Sequence, residues 1–262
     1  MTDDPGIDID MDVLLDTAAH AGEAILEVYA QDFEVETKED SSPLTEADRR
    51  ANAVILNALN SHYPNIPIIS EETKTLPYDE RKGWEWFWLV DPLDGTKEFV
   101  KKNGEFTVNI ALIRGDSPWA GVVYQPVTRT FYYAYHKNGA FRRIGEEPPQ
   151  RLEGGKHYLE CEAVTVVASR SHLTQEVEAF VEQLRSAGKQ VEFLSAGSSL
   201  KLCLVAEGKA DVYPRLGPTM EWDTAAAHSI AIESGRTVLA SKSRNPLIYN
   251  KKNLLNPWFI VE

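Results

Sequence analysis

Trp86-Phe87-Trp88-Leu89-Val90-Asp91-Pro92-Leu93-Asp94-Gly95-Thr96 runs from an unbroken apolar segment straight into two carboxylates. Large apolar residues in succession predict a strand buried on both faces, ending at Asp91. Pro92 and Gly95 then force an irregular backbone, because proline fixes φ and glycine admits conformations closed to other residues. Such a turn can aim both carboxylates and the Leu93 carbonyl at one point, the oxygen donor set that a hard divalent cation requires. Gly95 lets the chain approach a ligand closely, and the N–H groups of Gly95 and Thr96 could open a helix toward a phosphate. A plain turn would explain the same residues, since Asp-Gly pairs favour turns and Asp caps helices.

Working outward, β structure continues beyond this segment. Phe106 to Ile113, Trp119 to Tyr124 and Thr130 to Tyr135 are rich in aromatic and branched residues. Gly115-Asp116-Ser117-Pro118 and Pro126-Val127-Thr128 separate them, and Asn138-Gly139 suits a hairpin. Short turns between consecutive strands imply an antiparallel sheet. On the N-terminal side, Met11, Leu14, Ala18, Ala21, Ile25 and Val28 recur at helical spacing over residues 9–30. Phe33, Val35 and Thr37 suggest a short strand, Glu39 to Pro43 a loop, and Thr45 the start of a second helix with Ala47, Ala51, Val54 and Ala58 on one face. Pro67 to Ser70 is a brief strand that ends in Glu71 and Glu72.

The stretch 145–160, with Pro148, Pro149, Gly154 and Gly155, reads as a linker. It divides the chain into an N-terminal part, residues 1–145, with the large sheet, and a C-terminal α/β part, residues 146–262. In the latter, 163–168 and 191–194 read as strands; 173–187, 198–207 and 222–234 read as helices, with Gly188 and Gly235 as stops. The pattern is that of an α+β fold, without internal repeats or low-complexity tracts.

Composition narrows the partners. The 262 residues are 43% hydrophobic, enough to bury a core without staples. A formal net charge of -13 argues against nucleic acid and anionic lipid, and an anionic substrate would need local cations to reverse the field. No segment approaches the roughly 18 apolar residues of a membrane span. Met1-Thr2-Asp3-Asp4 lacks the basic start of a secretory signal. Cys161 and Cys203 alone make no disulfide framework, which fits a reducing cytoplasm.

Other acids stand at the ends of elements. Glu71 and Glu72 close a strand and could be a solvated exit. Asp223 begins an Ala-rich helix, where the helix dipole alone would favour it. Thr45-Glu46-Ala47-Asp48 matches a capping box. Taken together, these acids could converge on one metal cluster.

Four segments, Pro43 to Asp48, Ser70-Glu71-Glu72, Asp91 to Thr96 and Trp222 to Ala226, resemble the inositol monophosphatase superfamily of lithium-sensitive, magnesium-dependent phosphatases. They occur in the family's order across nearly the whole chain. Ser169-Arg170-Ser171-His172, Gly197-Ser198-Ser199-Leu200-Lys201 and Tyr213 to Thr219 resemble its 3'(2'),5'-bisphosphate nucleotidase branch of the CysQ type. The resemblance implies an inositol monophosphatase-like layered α/β/α/β/α sandwich. It implies that Glu71, Asp91, the Leu93 carbonyl, Asp94 and Asp223 hold two or three Mg2+ ions, and that Asp48 and Thr96 position and deprotonate the attacking water. Glu71, Leu93, Asp94, Gly95, Thr96, His172, Ser198, Lys201 and Asp223 would contact a small nucleotide bisphosphate, with Arg215 a further candidate. The implied reaction takes adenosine 3',5'-bisphosphate to AMP and phosphate, with the sulfated analogue as a second substrate, in sulfate assimilation. An inositol or broader sugar-phosphate phosphatase is the enzymatic alternative, and a non-catalytic metal- and phosphate-binding regulator the other. Members are monomers or homodimers, cytoplasmic, some of them peripheral on the inner membrane.

Overall fold

The computed structural model describes residues 7–32, 34–37, 43–168 and 174–262. Helix α1 (Met11–Tyr29) is followed by the short strands β1 (Glu36–Thr37) and β2 (Pro43–Leu44) and by helix α2 (Glu46–His62). Next come β3 (Ile68–Ser70), the single turn α3 (Tyr78–Arg81), β4 (Trp86–Asp94) and α4 (Thr96–Val100). A run of strands follows: β5 (Thr107–Arg114), β6 (Ser117–Gln125), β7 (Thr130–Tyr135), β8 (Gly139–Ile144) and β9 (Gln150–Arg151). The remainder is β10 (Ala163–Ala168), α5 (Gln175–Ser186), β11 (Gln190–Ser195), α6 (Leu200–Ala206), β12 (Tyr213–Arg215), α7 (Glu221–Glu233), β13 (Val238–Ala240) and β14 (Phe259–Val261).

Strands β3 to β9 form one sheet in sequence order. All its neighbours pair antiparallel except β3 and β4, which run parallel. Because side chains alternate across a strand, β4 feeds two cores. Trp88 and Val90 point to the face covered by α1 and α2, where Leu14, Ile25, Ile55 and Leu59 are buried. Phe87 and Leu89 point to the opposite face, which packs on Leu200, Cys203, Ala226, Ile230 and Phe259 from α6, α7 and β14. This two-sided burial explains the unbroken apolar reading of β4.

Below α6 and α7 lie the three-stranded sheet β12-β14-β13 and the parallel pair β10-β11. A bridge from Val166 to Val212 links β10 to the segment that leads into β12. Val181 and Leu184 of α5 close the last layer against Val164 and Val166. The order is helices, sheet, helices, strands and helix, the layered α+β sandwich expected.

Three features differ from the sequence reading. Strand β4 does not end at Asp91: it continues to Asp94 across a bulge, because Asp91 pairs with Asn109 and Asp94 with Thr107, three positions matching two. The stretch 145–160 adds β9 to the edge of the large sheet and buries Leu152, so hydrogen bonding to β8 overrides its Pro and Gly content. Strands β12, β13 and β14 had no expected counterpart. They are three residues each, too short for an alternation signal, and are recruited by pairing on β14.

Candidate active site

The parallel pair β3-β4 places the first two acids. Ser70 pairs with Val90, and Glu71 N donates to Val90 O at 3.1 Å. The two strands therefore finish level, and the next residues, Glu71 and Asp91, emerge side by side. The carboxyl ends of parallel strands are where α/β sheets present ligand-binding groups. Asp223 comes from the third position of α7, where its Oδ2 accepts from Met220 N at 2.8 Å. One oxygen each of Glu71, Asp91 and Asp223 lie within 4.8 Å of one another.

Asp91 is 1% exposed. Burial and the charges of Glu71, Asp94, Asp223 and Asp48 push its carboxyl well above the usual range. Asp223 is raised from 3.8 to about 8 by burial first and then by Asp94. Carboxylates so crowded repel one another, and a divalent cation is the natural counter-charge. An all-oxygen donor set of this kind fits a hard cation.

Asp94 is absent from that trio. Its Oδ2 accepts from Ser198 Oγ at 2.6 Å, Ser199 N at 2.7 Å and Ser199 Oγ at 2.8 Å. Asn109 Nδ2 bonds Ser199 Oγ at 2.8 Å, and Thr107 Oγ1 lies 3.0 Å from Asn109 Oδ1. Thr107 and Asn109 sit opposite the β4 bulge, buried on one face of β5. Thr107, Asn109 and Ser199 were not singled out from the sequence. The signal was there, as two polar residues at alternate positions of an otherwise apolar strand.

Asp48 and Thr96 are brought together. Asp48 Oδ2 accepts from Thr45 N at 2.7 Å and Thr45 Oγ1 at 2.6 Å, completing the capping box of α2. Thr96 Oγ1 lies 3.3 Å from both Asp48 Oδ1 and Leu93 O. Gly95 precedes Thr96 with φ 91, a left-handed conformation that suits glycine, and α4 starts at Thr96. Leu93 N donates to Asp91 Oδ1 at 3.1 Å, tying the bulge to its own acid.

A cavity of about 470 Å³ opens beside these acids, lined by Asp94, Asp223, Lys97, Lys101, Lys201 and Arg215 among others. These four cations share the lining with three carboxylates, Glu98 being the third, so they offset the local negative charge in a chain whose net charge is -13. Lys201 is 8% exposed, and its Nζ donates to Ser198 O at 2.7 Å. Burial lowers its pKa from 10.5 to about 8, against the pull of Asp94. Arg215 donates to Pro218 O at 2.8 Å. Ser198 lines the cavity but spends its hydroxyl on Asp94 and on Thr107 at 2.5 Å. His172 lies outside the described residues. A wider cleft of about 730 Å³, at Tyr63, Trp84 and Trp86, opens at the start of β4 and holds none of the clustered carboxylates. Among the described residues no helix is long and apolar enough to cross a membrane.

Comparison with known proteins agrees with this architecture. Residues 10–258 match the model of the Inositol monophosphatase family. A protein of Salmonella typhimurium named 3'(2'),5'-bisphosphate nucleotidase CysQ is 44% identical over 246 residues, 93% of this chain and 96% of its own. The protein of that name in Escherichia coli K12 is 42% identical over 254 residues, covering 96% and 98%. The crystal structure of CysQ from Bacteroides thetaiotaomicron superposes with a TM-score of 0.83 at 45% identity, covering 96% of this chain and 97% of that one. Sequence, layering and carboxylate cluster lead to one assignment: the chain belongs to the inositol monophosphatase family.

Proposed function

We propose that the protein is a magnesium-dependent 3'(2'),5'-bisphosphate nucleotidase that converts adenosine 3',5'-bisphosphate to AMP and phosphate, with the sulfated analogue as a second substrate. The observation that carries this reading is a cavity bordered both by the carboxylates Asp94 and Asp223 and by the buried Lys201. A bisphosphate needs two unlike places, one for the scissile phosphate and one for the other. The relatives from Salmonella typhimurium and Escherichia coli bear the name of this activity.

Glu71, Asp91, Asp223, the Leu93 carbonyl and Asp94 through its second oxygen would hold the Mg2+ ions. Bound there, divalent cations supply the positive charge that offsets both the carboxylates and the phosphate oxygens. Phosphoryl transfer needs positioning and charge stabilisation above all. Thr96 Oγ1 donates toward Asp48 Oδ1 and so presents its lone pair to the attacking water. As water oxygen bonds to phosphorus and the ester oxygen leaves with its bonding pair, taking a proton from solvent, Thr96 takes the attacking water's proton and passes its own to Asp48. Lys201, a buried point charge, and Arg215 receive the second phosphate.

Phosphate release from adenosine 3',5'-bisphosphate and inositol 1-phosphate, each with and without Mg2+, tests the reading. A strong Mg2+-dependent preference for the nucleotide is expected. Preference for the inositol ester would overturn the substrate assignment, and release that is indifferent to Mg2+ would overturn the metal assignment.

A further inference from the structure

The carbonyl of Ser198 and the N–H of Ser199 belong to one peptide unit. On one side, Lys201 Nζ donates to Ser198 O at 2.7 Å. On the other, Ser199 N donates to Asp94 Oδ2 at 2.7 Å. The described residues contain no cis peptide bond, so the two groups point in opposite directions from a rigid plane. Ser198 itself has φ 52, a left-handed conformation costly for a residue with a Cβ, and one that outside contacts must hold. Its hydroxyl, bonded to Asp94 and Thr107, is the second of those contacts. A cation at a peptide carbonyl also polarises the unit and strengthens its N–H as a donor.

We propose that the Ser198–Ser199 peptide unit couples the anion-binding lysine to the metal-binding carboxylate, so that Lys201 acts on Asp94 as a positioning residue. This rests on the functional reading above. A second phosphate that engages Lys201 changes its grip on the carbonyl and is thereby felt at Asp94. By thermodynamic reciprocity, cations at Asp94 tune the affinity of the subsite for that phosphate. Nucleotides lacking the second phosphate would then lose rate as well as affinity.

The coupling and plain electrostatics require opposite signs. Lys201 is a buried cation beside Asp94, and removing its charge should by Coulomb's law alone tighten binding of a divalent cation. If Lys201 holds the peptide unit, removing it loosens Asp94 and weakens that binding. The experiment is a Mn2+ titration of the substrate-free protein, followed by the electron paramagnetic resonance signal of free Mn2+. Lys201→Met should bind Mn2+ roughly fivefold more weakly than the wild type, the effect of slackening one charge-assisted hydrogen bond. Lys201→Arg, which keeps a donor and a charge, should restore most of the affinity. Lys201→Leu repeats the test if the methionine variant does not fold. Equal or tighter Mn2+ binding by the neutral variants overturns the coupling and leaves the functional reading intact. Absence of Mn2+ binding by the wild-type protein overturns both.

Discussion

Thr96 Oγ1 lies 3.3 Å from Asp48 Oδ1, although 48 positions separate the two residues. The two oxygens of Asp48 do different work. Oδ2 caps helix α2 through Thr45, and that bond fixes the direction in which Oδ1 points. Asp48 is 1% exposed, so the acceptor that faces Thr96 is rigid and screened from water. A helix cap thus orients the acceptor of the proposed proton relay.

Asp48→Asn separates these duties. The amide oxygen can still accept from Thr45 and keep the cap, while its NH2 group turned toward Thr96 can no longer accept a proton. Turnover should fall by about 10²- to 10⁴-fold, the usual worth of a general base. Cation affinity should be largely kept, weakened only by the loss of one nearby negative charge. Steady-state kinetics and a Mn2+ titration check this, and a large loss of Mn2+ binding would make Asp48 a ligand or a structural cap instead.

The crowded carboxylates set a pH dependence. Asp223 has a pKa of about 8 in the folded protein against 3.8 for the free side chain. The folded protein retains a proton that the unfolded chain releases, so this contribution to stability is complete below about pH 4 and lost as pH rises through about 8. Asp91 shifts in the same direction. Buried His228 acts oppositely: its pKa falls from 6.5 to about 3, so its contribution is present above pH 6.5 and lost as pH falls toward 3. Lys201, lowered from 10.5 to about 8, gives a rising slope only above pH 8. In a chelator, Tm should therefore fall between pH 6.5 and 8. Millimolar Mg2+ should abolish the fall, and Asp223→Asn should reduce it. A level melting profile in chelator would remove the carboxylates as its cause.

The sequence carried the acids and the strand that leads to them, because both are written locally. The apolar run of Trp86 to Val90, the break in regular backbone at Pro92 and the Thr45 cap need no distant partner to be recognised. Their convergence was not written locally. That Glu71 stands beside Asp91 follows from the parallel register of β3 on β4, which no pattern within either strand encodes. The residues around Asp94 were hidden for the same reason. Thr107 and Asn109 gain meaning only when β5 pairs with the bulge and the Ser198–Ser199 turn arrives from ninety residues further on. Ser198, a candidate substrate contact, lines the cavity, and its hydroxyl also holds Asp94.

Gly121 tests how the fold places Asp223. A Cβ at this position of β6 would lie 2.4 Å from Ala226 O and 2.4 Å from Ser229 Oγ, so the backbone of α7 rests directly on the strand. Backbone cannot yield as a flexible side chain can. Gly121→Ala should destabilise the protein by about 1–3 kcal/mol, the range for overpacking a well-filled core. It should also weaken cation binding, because α7 carries Asp223. Urea unfolding and a Mn2+ titration read the two effects; a variant that melts early but binds Mn2+ normally would uncouple the helix position from the site.

The first turn of α7, which carries Asp223, is held by a buried ion pair. Glu221 is 0% exposed, and Lys251 Nζ lies 2.6 Å from its Oε1. Glu221 also accepts from Asn250 N at 2.7 Å and Lys251 N at 3.0 Å, so the loop before β14 clamps the first turn of the helix. Burial raises the Glu221 pKa and Lys251 pulls it back. Lys251→Met removes the cation and leaves the carboxylate with backbone donors alone. Breaking a buried pair in this way costs about 3–5 kcal/mol, and part of the loss is relieved when Glu221 takes up a proton. The loss should therefore shrink at acid pH, where the lone carboxyl is neutral, and be largest near neutrality. Chemical denaturation of wild type and variant at pH 5 and pH 7.5 measures the difference. A loss of equal size at both would show that Lys251 contributes through packing of its stem rather than through its charge.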